Sequence, residues 1–261
     1  MKMQDKKEKD AKSKEAHIAQ KNAAKARKRG APDFDRDADV IIRPEKKSFL
    51  IITEGTNTEI SYFEQFKLSD AEVIAVGTGH NTDSLVKLAL RIREDENNKR
   101  KAKGKEEFDF VWCVFDADPK PDNLKQLPNF LKGIQLAEQN YMKVAYSNQA
   151  FEYWLILHFE DHQGGSMPRK PDYHDKINGY INPYGCYYDG EDSKEISKMF
   201  FERMLEIVSR TNEGNPITRQ DIAIKRAKRI LKFHTDNGTS PEKAESSTTV
   251  FELVEELRKY I

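Results

Sequence analysis

Three acidic residues stand where two apolar runs end. Residues 49–53 read Phe-Leu-Ile-Ile-Thr and lead into Glu54-Gly55; residues 110–115 read Phe-Val-Trp-Cys-Val-Phe and lead into Asp116-Ala117-Asp118. Short runs that are apolar throughout and rich in β-branched and aromatic residues predict strands buried on both faces of a parallel sheet. In open α/β sheets the ligand crevice lies beyond the carboxyl ends of the strands. Glu54, Asp116 and Asp118 are therefore expected at one sheet edge, although about sixty residues separate the first from the others. Carboxylates gathered in one crevice repel each other unless a cation neutralises them, and hard oxygen ligands select Mg²⁺ or Mn²⁺. Each piece alone has a plainer reading: Asp-x-Asp after a strand also serves as turn chemistry, its side chains bonding nearby amides. The two strand ends together favour the metal.

Two further acids begin predicted helices just past strands. An acid there stabilises the positive helix end by about 0.3–1 kcal/mol. Glu152 heads the otherwise apolar stretch 151–159, where a carboxylate is costly unless paired, so it is assigned a site role. Glu59 fits a helix-end acid and a further metal ligand equally well.

These residues need a scaffold, and from residue 46 onward strand and helix patterns alternate. Strands are expected near 49–53, 73–76, 109–115 and 142–146. Helices are expected over 59–68, 84–93, 124–139 and 151–159, with the charged continuation to residue 107 forming a solvated helix end and a loop. Such alternation implies crossover connections and a parallel sheet. After residue 159 a Gly- and Pro-rich linker covers 161–171, and three helical patterns follow at 194–210, 218–233 and 248–261. Thr218 is a candidate cap for the second, and Ser247 or Thr248 for the third.

Glu54-Gly55 and Asp116-x-Asp118 at strand ends resemble the Toprim signature of topoisomerases, primases and OLD-type nucleases. Three longer stretches resemble one branch, the RloB family (similar to AbiLii) of bacterial defence loci: residues 54–63 (Glu-Gly-Thr-Asn-Thr-Glu-Ile-Ser-Tyr-Phe), 147–159 (Ser-Asn-Gln-Ala-Phe-Glu-Tyr-Trp-Leu-Ile-Leu-His-Phe) and 246–250 (Ser-Ser-Thr-Thr-Val). The chain departs from that pattern at Gln149, where the family has Pro. The resemblance implies an α/β fold with a Toprim-like parallel-sheet sandwich, to which pattern and composition add a C-terminal helical appendage and a disordered basic N-terminal tail. The expected division is 1–44 tail, 45–160 catalytic domain, 161–261 helical region. It also implies a divalent-metal-dependent nuclease acting on DNA or RNA as the effector of an anti-phage or abortive-infection system. Asp116 and Asp118 would hold Mg²⁺ or Mn²⁺, Glu54 would ligate or act as general acid/base, and Glu152 and Glu59 would extend the site. The other half of such a two-gene system resembles an ABC- or AAA-type ATPase. This chain has no nucleotide-binding motif of its own, since Gly77-Thr78-Gly79 lacks the Lys-Ser/Thr ending of a P-loop.

The net charge of zero conceals an asymmetry. Residues 1–30 carry eleven Lys or Arg against four Asp or Glu, net +7, which leaves net −7 for the rest. With almost no large apolar residues this tail cannot bury a core. Lys25, Arg27, Lys28 and Arg29 form a basic cluster suited either to nucleic-acid phosphates or to solubility. Lys225 and Arg226, beside Lys228 and Arg229, form a second candidate patch or simply the solvated face of a helix. Two cysteines make no disulfide framework, and no apolar stretch approaches the roughly 18 residues that span a bilayer, so a cytoplasmic protein without membrane contact is expected. His158 and His162, four apart, could share a helix face and bind zinc, but Gly164-Gly165 ends the helix there. The rival readings are a primase-like or strand-passing Toprim module and a non-catalytic sensor or assembly subunit. The chain is short for the tyrosine-bearing domain that strand passage needs, and oligomeric state is open.

Overall fold

The computed structural model describes residues 46–69, 71–79, 82–118, 126–162 and 172–261. The predicted tail, with Lys25, Arg27, Lys28 and Arg29, lies outside the described residues.

Four parallel strands, β1 (Lys47–Thr53), β2 (Ala71–Gly77), β3 (Phe110–Asp116) and β4 (Lys143–Ser147), form a sheet in the order β2-β1-β3-β4. Alternate residues along each strand enter separate cores. Phe49, Ile51, Trp112, Val114 and Ala145 face one side, and Leu50, Ile52, Val111, Cys113, Phe115 and Tyr146 the other. Both sides are covered, which is why these strands lack the alternating polar residues of a half-exposed sheet. Helices α2 (Thr82–Ala102) and α3 (Gln126–Gln139) cover the second face. The first is covered by α1 (Thr58–Phe63), α4 (Glu152–Ile156) and α5 (Tyr173–Ile181), together with α6 (Lys198–Met204), α7 (Arg219–Asp236) and α8 (Val250–Arg258).

The chain leaves β1 towards β2 on one side and returns past β1 to β3 on the other. The order therefore reverses between β1 and β3, the place where ligands bind in open α/β sheets. Glu54 follows β1 and Asp116 ends β3, so the two predicted acids flank the switch point.

The α/β class and the parallel sheet agree with expectation; three details differ. The helix starting at Thr82 runs to Ala102, because its charged end folds back onto protein. Arg100 is buried, pairs with Glu72, donates to the Glu106 carbonyl at 2.7 Å and lies over the Phe108 ring. The helix expected over 194–210 is instead short α6 followed by a hairpin, β5 (Ile207–Arg210) paired antiparallel with β6 (Pro216–Thr218). Branched Ile207 and Val208 favour a strand, and Thr211 and Gly214, the latter at φ +87°, close the turn. Helix α5 falls just beyond the expected linker, burying Tyr173, Ile177 and Ile181 at four-residue spacing. Thr218 caps α7 in a full capping box with Asp221, as its position suggested. At α8 the cap position is Thr249, and the Thr248 hydroxyl accepts from the Val250 amide at 3.2 Å.

A segment far along the chain closes the edge of β4 nearest the crevice. Thr249 donates its amide to the Tyr146 carbonyl and accepts from the Tyr146 amide through Oγ1, both at 2.8 Å, and the Asn148 amide reaches the Ser247 carbonyl at 2.7 Å. All of these residues are buried. Replacing Thr249 by Val keeps the shape and strands the Tyr146 N–H without water, so the expected loss is about 1–3 kcal/mol, measured by urea unfolding. An unchanged midpoint would show that this edge does not depend on the hydroxyl.

Candidate active site

Glu54 is set by the register of β1 on β3. Its amide donates to the Val114 carbonyl at 2.9 Å, and its Oε2 accepts from the Asp116 amide at 3.3 Å. Asp116 in turn accepts through Oδ2 from the Phe151 amide at 3.1 Å, at the start of α4. Turn chemistry predicts a bond to a neighbouring amide; this amide comes from the next strand-to-helix loop. Asp118 sits in the left-handed region at φ +37°.

Glu59 reaches back from α1 to the same place. Its carboxylate accepts from the Gly55 amide at 3.1 Å and is only 5% exposed. Gly55 is required there, because a Cβ on it would overlap that carboxylate. Gly77 is required for a related reason. A Cβ would fall 2.7 Å from Thr56 Cα and 2.8 Å from the Gly55 carbonyl oxygen, so the end of β2 braces the Glu54-Gly55 turn. Thr78 and Gly79 complete the brace, donating to the Thr53 and Glu54 carbonyls at 3.0 Å each. Glu152 begins α4 and accepts from the Tyr188 hydroxyl at 2.9 Å.

The five acids Glu54, Glu59, Asp116, Asp118 and Glu152 line one cavity of about 250 Å³, together with Lys194. Burial pushes the Glu59 carboxyl up from 4.5 to about 7, with the Glu152 and Glu54 charges adding to the rise and the Gly55 amide opposing it. The oxygen-only donors suit a hard divalent ion in kind. Among the described residues, however, no group of three His, Cys, Asp or Glu is gathered closely enough to hold a metal ion as the side chains stand.

Reasoning from sequence did not find Tyr188, Lys194 or the bracing role of Gly77. Tyr188 is buried, and its backbone bonds twice to the side chain of Asn178, at 2.8 and 2.9 Å. Arg226 is turned inward, donating to the Leu157 carbonyl at 2.7 Å, whereas Lys225 is exposed; Lys228 and Arg229 pair with Glu255 and Asp161. The two histidines considered for zinc are separately engaged. His158 is buried against the Trp154 carbonyl, and burial pushes its imidazole down to about 3; His162 bonds the Tyr153 hydroxyl at 2.8 Å. A larger groove of about 1210 Å³ beside β4 and α8 carries acids, but Glu255 and Glu256 there are paired with lysines. It lacks the shared crowding of the smaller cavity.

The Glu59 shift has a defined sign. A folded-state value above the unfolded one means the folded protein binds the proton more tightly. That stabilisation is complete below pH 4.5 and is lost as pH rises to about 7. Glu59→Gln cannot titrate, so its stability relative to the parent should rise across this window by up to about 3 kcal/mol. Denaturant unfolding of both proteins at pH 4.5 and 8 checks this; a pH-independent difference would contradict it.

No curated protein and no solved structure matches the chain. Residues 49–257 match the family described as RloB-like protein. That span includes most of β1, the five acids, the β4-edge segment and most of α8, so the match covers both the sheet and the helical region around the cavity. The chain belongs to the RloB-like family.

Proposed function

We propose that this protein is a divalent-metal-dependent nuclease, acting as the effector of an antiviral, abortive-infection type defence system. The observation that carries the reading is the convergence of five carboxylates, three from two strand ends and two from helix starts, on one cavity at the switch point of a parallel sheet. Such crowding costs stability and points to a function that repays it. The Toprim-like reading of the sheet rests on the same arrangement, with Glu54 after β1 and Asp116-x-Asp118 at the end of β3.

Glu54, Asp116 and Asp118 would hold Mg²⁺ or Mn²⁺, with Glu59 as a further ligand. A bound ion would supply neutralising charge at the phosphate and acidify an attacking water. The chain's own groups divide the remaining work. The backbone amides of Asp116 and Phe151 orient Glu54 and Asp116, and the Tyr188 hydroxyl orients Glu152. In the hydrolysis, a water oxygen bonds to phosphorus and the bond from phosphorus to the leaving oxygen breaks. One water proton passes to a carboxylate base, for which Glu54 and Glu152 are placed. That proton then passes from the carboxyl group, directly or through water, to the leaving oxygen. The nucleic acid is DNA or RNA, and the partner we infer is an ABC- or AAA-type ATPase, which would bring nucleotide control that this chain lacks.

One observation favours a second reading, a non-catalytic sensor or assembly subunit: among the described residues no three of these side chains are gathered closely enough to hold a metal ion. Cleavage separates the two. Asp118→Asn and Glu54→Gln should lower metal-dependent cleavage of single- and double-stranded DNA and RNA at least 100-fold and leave the fold intact. Mg²⁺ or Mn²⁺ should raise the Tm of the parent and much less that of the variants. The non-catalytic reading predicts no cleavage by the parent, with or without an ATPase partner.

A further inference from the structure

The proposed nuclease has an electrostatic difficulty that its carboxylates create: they repel the phosphate they would cut. We propose that Lys194 answers it by binding a non-bridging phosphate oxygen of the nucleic-acid backbone at the carboxylate cavity, on a loop built to hold it there. This assignment rests on the reading of the cavity as a nucleic-acid site.

Lys194 lines the cavity beside the five acids, yet its side chain makes no ion pair or hydrogen bond among the described residues. The loop that presents it is tied at both ends. The Asp189 carboxylate accepts from the amides of Glu191, Asp192 and Ser193, each at 3.1 Å, and the Lys194 amide closes onto the Asp189 carbonyl at 2.9 Å. On the cavity side, Asn57 Nδ2 donates to the Ser193 carbonyl at 2.7 Å, and the Ile196 amide donates to Ser61 Oγ at 2.8 Å. Asn57 and Ser61 belong to the segment that begins with Glu54, so the element carrying the first acid also anchors the cation.

The backbone supplies an independent argument. Lys194 lies at φ +52°, where glycine is unstrained and a lysine is not. Asp118, which lines the same cavity, is also left-handed at φ +37°. Strain retained on two loops that face one cavity is characteristic of a site held for binding. A lysine suits the task as a compact point charge on a flexible stem, able to follow a phosphate.

The test is anisotropy of a fluorescent single-stranded oligonucleotide bound to the full chain in Ca²⁺, across a series of salt concentrations, alongside melting temperature and Mg²⁺-dependent cleavage. Lys194→Ala should weaken binding several-fold and reduce the slope of log affinity against log salt by about 0.7, the counterion release of one phosphate contact on a single strand. Lys194→Arg should keep the slope. Lys194→Gly should bind as weakly as the Ala variant yet melt at or above the parent, since it relieves the backbone. Parent binding and a Lys194-dependent slope without cleavage would uphold this assignment and count against hydrolysis. Unchanged affinity and slope in Lys194→Ala would overturn it, as would a parent that binds no oligonucleotide.

Discussion

Carboxylate repulsion at the carboxyl edge of a buried parallel sheet is the constraint around which this protein is organised. The order β2-β1-β3-β4 places Glu54 and Asp116 on adjacent strand ends, and α1 and α4 bring Glu59 and Glu152 to the same cavity. Backbone amides hold three of these groups: that of Asp116 for Glu54, that of Phe151 for Asp116 and that of Gly55 for Glu59. Amide dipoles orient carboxylates without cancelling their charge. Buried beside Glu152 and Glu54, Glu59 holds its proton to about neutral pH.

The C-terminal region completes the site as well as covering the sheet. Tyr188 reaches both Thr58 and Glu152 with one hydroxyl, and its backbone is fixed by Asn178 on α5. Residues 247–249 finish the edge of β4. Tyr62 of α1 packs edge-on against Phe151 and Phe201, so the helix carrying Glu59 shares its core with the helices beyond residue 172. The three segments that resemble the RloB pattern are thus joined in space: the first and second through Tyr62 and Phe151, the second and third through Asn148 and Ser247.

What the sequence made legible follows from the range of each interaction. Strands β1 and β3 could be read because burial on both faces demands unbroken apolar runs, and the acids could be placed because strand direction fixes where such runs end. Long helices with a clear apolar face were readable for the same reason, and the Thr218 cap depends on residues three apart. The hairpin at 207–218 was misread because Leu205 and Glu206 extend the helical spacing of α6, while the Gly214 turn that redirects the chain is set by one backbone angle. Lys194 and Tyr188 had no local signature: their roles depend on Asn57, Thr58 and Glu152, well over thirty residues away. A long-range bond of that kind leaves its mark on the fold and very little on the adjacent sequence.

Nuclease chemistry at this cavity requires a divalent ion at the β1–β3 switch point. Anomalous diffraction from crystals of the protein soaked in Mn²⁺ locates such an ion directly. The expected result is a peak inside the cavity, within coordination distance of Glu54 and Asp116, that disappears in Glu54→Gln. A soaked crystal with no peak there, or with manganese only at sites remote from these carboxylates, would contradict it.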